Sequence, residues 1–315
     1  MKFFLVFVIF FLSLASAKDI SPTLTFKAIG LVSDFVIDKD KLYVATDAGT
    51  IDVFDLNTQK MLHQIILPPV TTAMGDLVSA RILSVDRHNN KTLIVSIGKD
   101  AFRNVWIYEN NSLKQVVDEK AKLTIKEARF VDDERVVFAT FGSEIILHDT
   151  GENYQVYKTH ISQSTLGDIA LNSDKTKMVL SDESGEIKLI DIQNATIEKS
   201  YSSQNVDNVY HVAHSNGVIV TAGQDRRVAV YQEGKKAYHI KSDFLVYCVG
   251  ISPNGKTAVY SSGEENHLQL FNTKTKRKSH RLIGHRAIIN QIKFINEKEL
   301  FSADTSQEVL YWRLP

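Results

Sequence analysis

The sequence predicts an all-β fold: a seven-bladed β-propeller with four antiparallel strands per blade, closed by an N-terminal strand. Three observations predict it. A short apolar run ending on a polar residue recurs seven times, as IDVFD, VWIYE, IILHD, IKLID, VAVYQ, LQLFN and VLYWR. The closing residues Asp55, Glu109, Asp149, Asp191, Gln232, Asn272 and Arg313 are 54, 40, 42, 41, 40 and 41 residues apart. So steady a period marks one supersecondary unit copied round a ring or along a solenoid. Inside each period apolar residues alternate every two positions between turn signals, which is strand periodicity, and no segment sustains a helical period. Finally, the last period is one strand short, and the N-terminal region holds one strand to spare.

Taken in order, the chain opens with Lys2, an apolar run over 3–12 and Ala15-Ser16-Ala17. A charged start, a core too short to span a bilayer and an A-x-A pattern predict a secretory signal cut after Ala17. An uncleaved membrane anchor is the alternative. Residues 18–315 are then the expected mature domain, soluble and monomeric, because no later apolar run approaches spanning length. TLTFKAIGL (23–31) is the spare strand. The first interval is about a dozen residues over the norm, and the excess falls at PPVTTAMGDLVSA (68–80). The fourth unit (169–201), fifth (208–241) and sixth (248–282) each read as four short strands, with Asn-Ser-Asp-Lys and Ser-Pro-Asn-Gly as hairpin turns. The last unit offers AIINQIKF, KELFSA and VLYWRL. Residues 23–31 are expected to pair beside VLYWRL as the outer strand of the final blade, removing a free sheet edge.

Composition narrows the function. The full chain has no net charge, and without Lys2 the remainder carries 36 Lys and Arg against 37 Asp and Glu. No long basic block stands out; KTKRKSHR (274–281) reads as a solvated turn and outer strand. Nucleic acid is therefore not an expected partner. Cys248 is the single cysteine, which excludes an internal disulfide and any Cys-rich metal or haem-attachment site. An exported chain without disulfides suits the bacterial periplasm. Within LVYCVGI, Cys248 reads as a small buried hydrophobe.

The last unit carries Gly284-His285, Ser302 and Trp312, and the fifth carries TAGQDRRVAVYQ with Thr221 and Asp225. These residues resemble the WD-repeat family of β-propellers. There a Gly-His pair opens the blade, a Ser or Thr lies in the second strand, an Asp in the next turn and an aromatic in the third strand. The resemblance implies that His285, Ser302, Trp312, Thr221 and Asp225 brace their blades. Asp225 stands six residues before Tyr231, whereas the equivalent place before Trp312 is Ser306, with Asp304 displaced by two. An incomplete hydrogen-bonded set is therefore expected in the last blade. A leader joined to such a degenerate ring, with the ending HRLIGHRAIINQIKFIN…LFSADTSQEVLYWRL (280–314), is similar to the accessory propellers encoded beside periplasmic nitrate reductase. That similarity implies a role in maturation of, or electron delivery to, the enzyme. The partners implied are nitrate reductase subunits or a partner cytochrome.

No catalytic or phosphate-binding motif is present: no H-E-x-x-H, C-x-x-C-H, G-x-S-x-G or Walker loop. His211 and His214, three apart on a strand, face opposite ways and are not a ligand pair. The second-to-third-strand turns offer Asp47, Asp100, Glu183, Asp225, Glu264, Glu265 and Asp304. A calcium-dependent hydrolase or lactonase is the alternative built on such a ring; a propeller holding haem or a quinone is a further one. The leading expectation is a non-catalytic scaffold with no cofactor. Its partner-binding residues would be Met74 and Leu77 in the long insertion, with Lys99, Phe102, Arg103, Arg226, Arg227 and Arg286 in the turns, since Arg and aromatic residues favour interfaces.

Overall fold

A computed structural model describes residues 18–315, so the expected leader lies outside the described residues. The chain forms seven blades of four antiparallel strands, consecutive in the first six and completed by an N-terminal strand in the last, the seven-bladed ring that the repeat predicts. From the axis outward, blade 1 comprises Val32–Asp38, Lys41–Thr46, Thr50–Asp55 and Met61–Ile66. The inner strands of the next five blades are Ile82–His88, Ile125–Phe130, Leu166–Leu171, Val209–Ser215 and Val249–Ile251. Blade 7 begins with Ile289–Phe294 and continues with Glu299–Asp304 and Glu308–Arg313. The only helical pieces among the described residues are single 3-10 turns at Lys99–Ala101 and Glu119–Ala121.

Burial explains why the third strand gave the clearest repeat. The middle two strands of a blade are covered on both faces by neighbouring blades, so they read as nearly unbroken apolar runs. Lys41–Thr46 and Thr50–Asp55 are buried at all but one residue each, whereas the outer strand Thr196–Tyr201 is exposed except at its end. The core is accordingly divided into seven apolar clusters, one per blade junction. Leu93, Val105, Phe130 and Phe138 join blades 2 and 3; Cys248, Leu268, Leu300 and Trp312 join blades 6 and 7.

Closure follows the expectation, with a shorter ladder than 23–31. Leu24–Lys27 pairs antiparallel with Glu308–Tyr311. Ala28 and Val32 then donate to the carbonyls of Gln307 and Ser306, which carries the chain into blade 1. Phe26 sits between Phe54 and Phe301, with ring centroids 5.7 and 6.1 Å away. An unforeseen fifth strand precedes it. Asp19–Ile20 runs parallel beside Lys278–Leu282 of blade 6, and Arg281 makes two bonds to the Asp19 carboxylate, 2.8 and 3.0 Å. The insertion at 68–80 folds into a small hairpin, Val70–Thr71 with Leu77–Val78.

Inner strands face the axis with one edge unpaired, and their backbone groups need partners. Side chains supply them across the junctions. Asp34 accepts from the Val85 amide, Asp86 from Phe130 and Asp168 from Val212 (3.0, 2.8 and 2.8 Å). Ser181 donates to Val209 O and Asn290 to Val32 O. Blades 4 and 5 approach so closely that a Cβ on Gly167 would stand 1.9 Å from Val209 O, so only glycine fits there.

Cys248 is fully buried, and burial pushes its thiol well above the ordinary range. In native protein it is expected to resist a thiol reagent such as Ellman's. Full reaction is expected only after unfolding in denaturant. Rapid labelling of the native chain would contradict this placement.

Candidate binding site at the channel mouth

In every blade but the sixth, the polar residue near the start of the inner strand is aimed by a backbone irregularity. Six inner strands carry a β-bulge near their start: between Val32 and Asp34, Ile82 and Ser84, Ile125 and Glu127, Leu166 and Asp168, Val209 and His211, and Ile289 and Gln291. A bulge inserts one residue and re-aims its neighbour. Asp34, Glu127, Asp168, His211 and Gln291 thereby converge on one cavity of about 460 Å³ at the channel mouth. Asp47, Phe141 and Thr305, from second-to-third-strand turns, form part of its rim.

The hydrogen bonds inside the cavity are directional. Asp34 accepts from the Phe35 and Val85 amides and from Gln291 Nε2. Burial pushes its carboxyl up, but the Lys293 and Arg129 charges and these bonds outweigh burial and hold it below the usual range. Arg129 donates to Ser84 Oγ (2.6 Å), Ala128 O (3.0 Å) and Glu127 Oε2 (2.8 Å). Despite burial, the surrounding carboxylates raise its affinity for the proton. Gln291 spends its amide on Asp34, so its Oε1 is the acceptor for His211 Nε2 at 3.1 Å. That fixes the tautomer: His211 Nδ1 is a bare lone pair, 3.6 Å from Asp168 Oδ2. Burial pushes the imidazole down to about 4, so the ring is neutral at pH 7. Glu127 goes the other way. Burial first, and then the neighbouring Asp168 charge, push it well above the carboxylate range.

Aromatic side chains stand round the mouth. Arg103 and Lys126 approach the Phe141 ring at 5.6 and 5.8 Å. Tyr210 stacks on Tyr247, with centroids 5.6 Å apart and planes at 18°.

The turn carboxylates do not form the channel ring. Asp47 alone of them borders the cavity. Asp225 and Asp304 are committed to blade bracing, and Glu265 lies 3.5 Å from His267. Among the described residues, no group of three His, Cys, Asp or Glu side chains comes together to hold a metal ion. The acidic residues at the mouth come from inner strands instead. Their signal was the repeat itself: stacking the seven copies puts Asp34, Ser84, Glu127, Asp168, His211, Gly250 and Gln291 at one place.

The expected gap in the last blade is overturned. His285 Nδ1 lies 3.0 Å from Asp304 Oδ2 and its Nε2 2.6 Å from Ser302 Oγ, while Trp312 Nε1 donates to the same hydroxyl at 2.7 Å. The set is complete because Asp304 ends the second strand, paired with Ile289, at the place Asp182 holds in blade 4, and reaches the histidine from there although its sequence offset differs from that of Asp225. In blade 5, Thr221 donates to Asn205 Oδ1 at 2.6 Å, and Asn205 reaches Asp225 at 3.2 Å. Asn205 thus stands where His285 does, four residues before its inner strand, and sequence reading missed it. Ser162, four before Leu166, bonds Asp182 in the same way at 2.6 Å.

The expected docking residues divide in two. Met74 and Leu77 are 92% and 70% exposed, and Lys99, Arg226 and Arg286 also face solvent. Phe102, Arg103 and Arg227 are half-buried. Arg227 donates to Gln204 O at 2.9 Å and lies 3.7 Å from Asp225, so it supports its own turn.

No family model and no curated protein matches this chain. Among solved structures it is similar to the β-propeller domain of Cps50 (Swd1) from Myceliophteria thermophila. The TM-score is 0.75, over 93% of this chain and 99% of that one, at 13% identity. The likeness is one of fold: a seven-bladed ring on which the side chains at the mouth are this chain's own.

Proposed function

We propose that the chain is a non-catalytic scaffold that holds a protein partner on the face carrying the channel mouth. The observation that supports it is the gathering there of aromatic and cationic side chains around an open cavity. Arg103 and Lys126 both approach the Phe141 ring, and Tyr210 stacks on Tyr247. Flat rings and forked donors are what protein interfaces use as anchors. Exposed Lys99, Arg226 and Arg286 extend this surface, and Met74 and Leu77 add apolar contacts on the insertion hairpin. The finer reading places the mature chain in the periplasm as an accessory factor of the NapL type. Nitrate reductase subunits or a partner cytochrome would be its partners, in maturation or electron delivery. Its support is the leader pattern at 1–17 and the resemblance over 280–314.

Purified periplasmic nitrate reductase on a sensor surface tests both levels. Wild-type chain is expected to bind, and the triple variant Lys99→Glu, Arg226→Glu, Arg286→Glu to bind at least about tenfold more weakly with an unchanged melting temperature. A wild-type chain that passes over nitrate reductase unretained rejects the finer reading. Undiminished binding by the triple variant removes this face from consideration.

A further inference from the structure

The cavity at the mouth has a one-sided hydrogen-bonding character. Of the cations lining it, Arg129 and Lys126 on the buried wall are engaged by the protein, and Arg81 lies at the exposed rim. Arg129 is taken by Ser84, Ala128 and Glu127. Lys126 donates to the carbonyls of Leu166 and Gly167, and Lys293 to Phe35 O and Asp34. The unsatisfied groups are acceptors. His211 Nδ1 and Asn290 Oδ1 are buried without any partner. The orientation of each is fixed by its other atom, since His211 Nε2 donates to Gln291 and Asn290 Nδ2 to Val32 O. Asp168 accepts one backbone amide through Oδ2 and shares a side-chain hydrogen bond with Glu127, whose carboxyl is pushed up. Glu127 gives Oε2 to Arg129, and the proton it shares with Asp168 is the one a cation would displace.

The architecture accounts for Asp34, Asp86 and Asp168, each of which satisfies an amide of the next blade. It does not account for Glu127, which holds no backbone group. A carboxyl pair sharing one proton beside two orphaned buried acceptors leaves this wall short of donors. An anionic guest supplies too few donors, and a neutral one brings no charge to displace the proton on Glu127. A single metal ion needs ligands converging at about 2.3–2.6 Å, and no such group of three exists among the described residues. A guanidinium, with five donors in a plane, or an ammonium, with three, meets acceptors spread round a cavity wall.

We propose that the channel mouth binds an organic cation, a guanidinium or ammonium group, held by Asp168, Glu127, His211 Nδ1 and Asn290 Oδ1. The group is either that of a free small molecule or the tip of a basic side chain on a partner. In the second case the proposal deepens the scaffold reading and rests on it; the cavity chemistry is the same in both.

Binding is coupled to protons through Glu127. The charged and titratable groups facing it are Asp168, Arg129, Lys126 and His211. Asp168 opposes its ionisation and the two cations favour it. An added cation favours the ionised form, so affinity rises with pH and a proton leaves on binding.

Calorimetric titration of chain 18–315 with methylguanidinium and with n-propylammonium tests the assignment. At least one is expected to bind with Kd below about 1 mM. Asp168→Asn retains an acceptor for the Val212 amide, and Glu127→Gln disturbs no backbone bond. Both are expected to fold with wild-type circular dichroism and to lose at least about tenfold in affinity. The sources separate in a further arm using a Gly-Arg-Gly peptide against Gly-Ala-Gly. Binding of the free cations points to a small molecule. Binding of the arginine peptide alone points to a partner's side chain. The proposal is overturned if neither cation nor the arginine peptide binds, if acetate or calcium binds more tightly, or if both folded variants bind as wild type. Cation binding that persists while the charge-reversed triple variant still captures nitrate reductase rejects the docking face alone.

Discussion

Replacing Phe26 with alanine is expected to destabilise the ring by about 3–5 kcal/mol, the usual cost of emptying a buried aromatic site. Phe26 is 2% exposed and belongs to the cluster that joins blade 7 to blade 1. It is the only fully buried side chain of Leu24–Lys27, whose pattern alternates half-buried, exposed, buried, exposed. The four ladder pairs from Leu24↔Tyr311 to Lys27↔Glu308 are held in place by that one ring. Losing it weakens the only strand pairing that joins the N-terminal segment to the final blade. Urea unfolding reads the effect as a lower midpoint, and protection of the Phe26 amide from hydrogen exchange should fall most. A shift within about 0.5 kcal/mol, the range of an ordinary surface change, would mean that the seam is held elsewhere.

The second large effect is expected at Asp304. Asp304→Ala leaves the buried His285 Nδ1–H and the amides of Arg286, Ala287 and Ser306 without their acceptor. Stranding buried donors on this scale costs about 3 kcal/mol. The pH dependence identifies the cause. Burial raises the Asp304 carboxyl, but hydrogen bonds from His285 and Ser306 outweigh it and hold the group well below its ordinary 3.8. A depressed carboxylate contributes stability that is present above the unfolded value and lost as pH falls towards the folded one. The wild-type advantage over Asp304→Asn is therefore expected to be full at pH 7 and to shrink steadily below about pH 4. Urea midpoints for both proteins at pH 7, 5 and 3 measure it. A gap that stays constant over that range would assign the stabilisation to packing instead of charge.

The ring was legible because its strongest signals are local. Third strands such as IILHD and VAVYQ are buried on both faces, so their apolar runs survive divergence of the surrounding residues. The seam was legible by counting strands, since one was missing at one end and spare at the other. The tetrad in blade 7 was only half legible. Its residues were all visible, but the offset of Asp304 from Trp312 suggested a gap, whereas Asp304 reaches His285 from the end of the second strand. Asn205 went unseen because it substitutes for histidine by function and not by type. The cavity was hidden for a different reason. Glu127, Asp168 and His211 are far apart in sequence and lie in different strands, each an isolated polar residue in a β pattern. Their bulges, which aim them inward, leave no mark in composition. The carboxylates noticed in the turns were in ordinary turn surroundings, and most proved to be used there.

The fifth strand on blade 6 has a consequence for assembly. Residues 19–20 lie along one blade and 24–27 along the next, so a single short stretch straps two neighbouring blades together. Both attachments join residues from opposite ends of the described chain. Contacts of such long sequence separation form late and slowly. On a ribosome or in a translocation pore, blades 1 to 5 can form as each emerges, but the strap must wait with its apolar Phe26 uncovered. A chaperone that grips extended apolar segments would find its target there, in the interval before the circle is fastened.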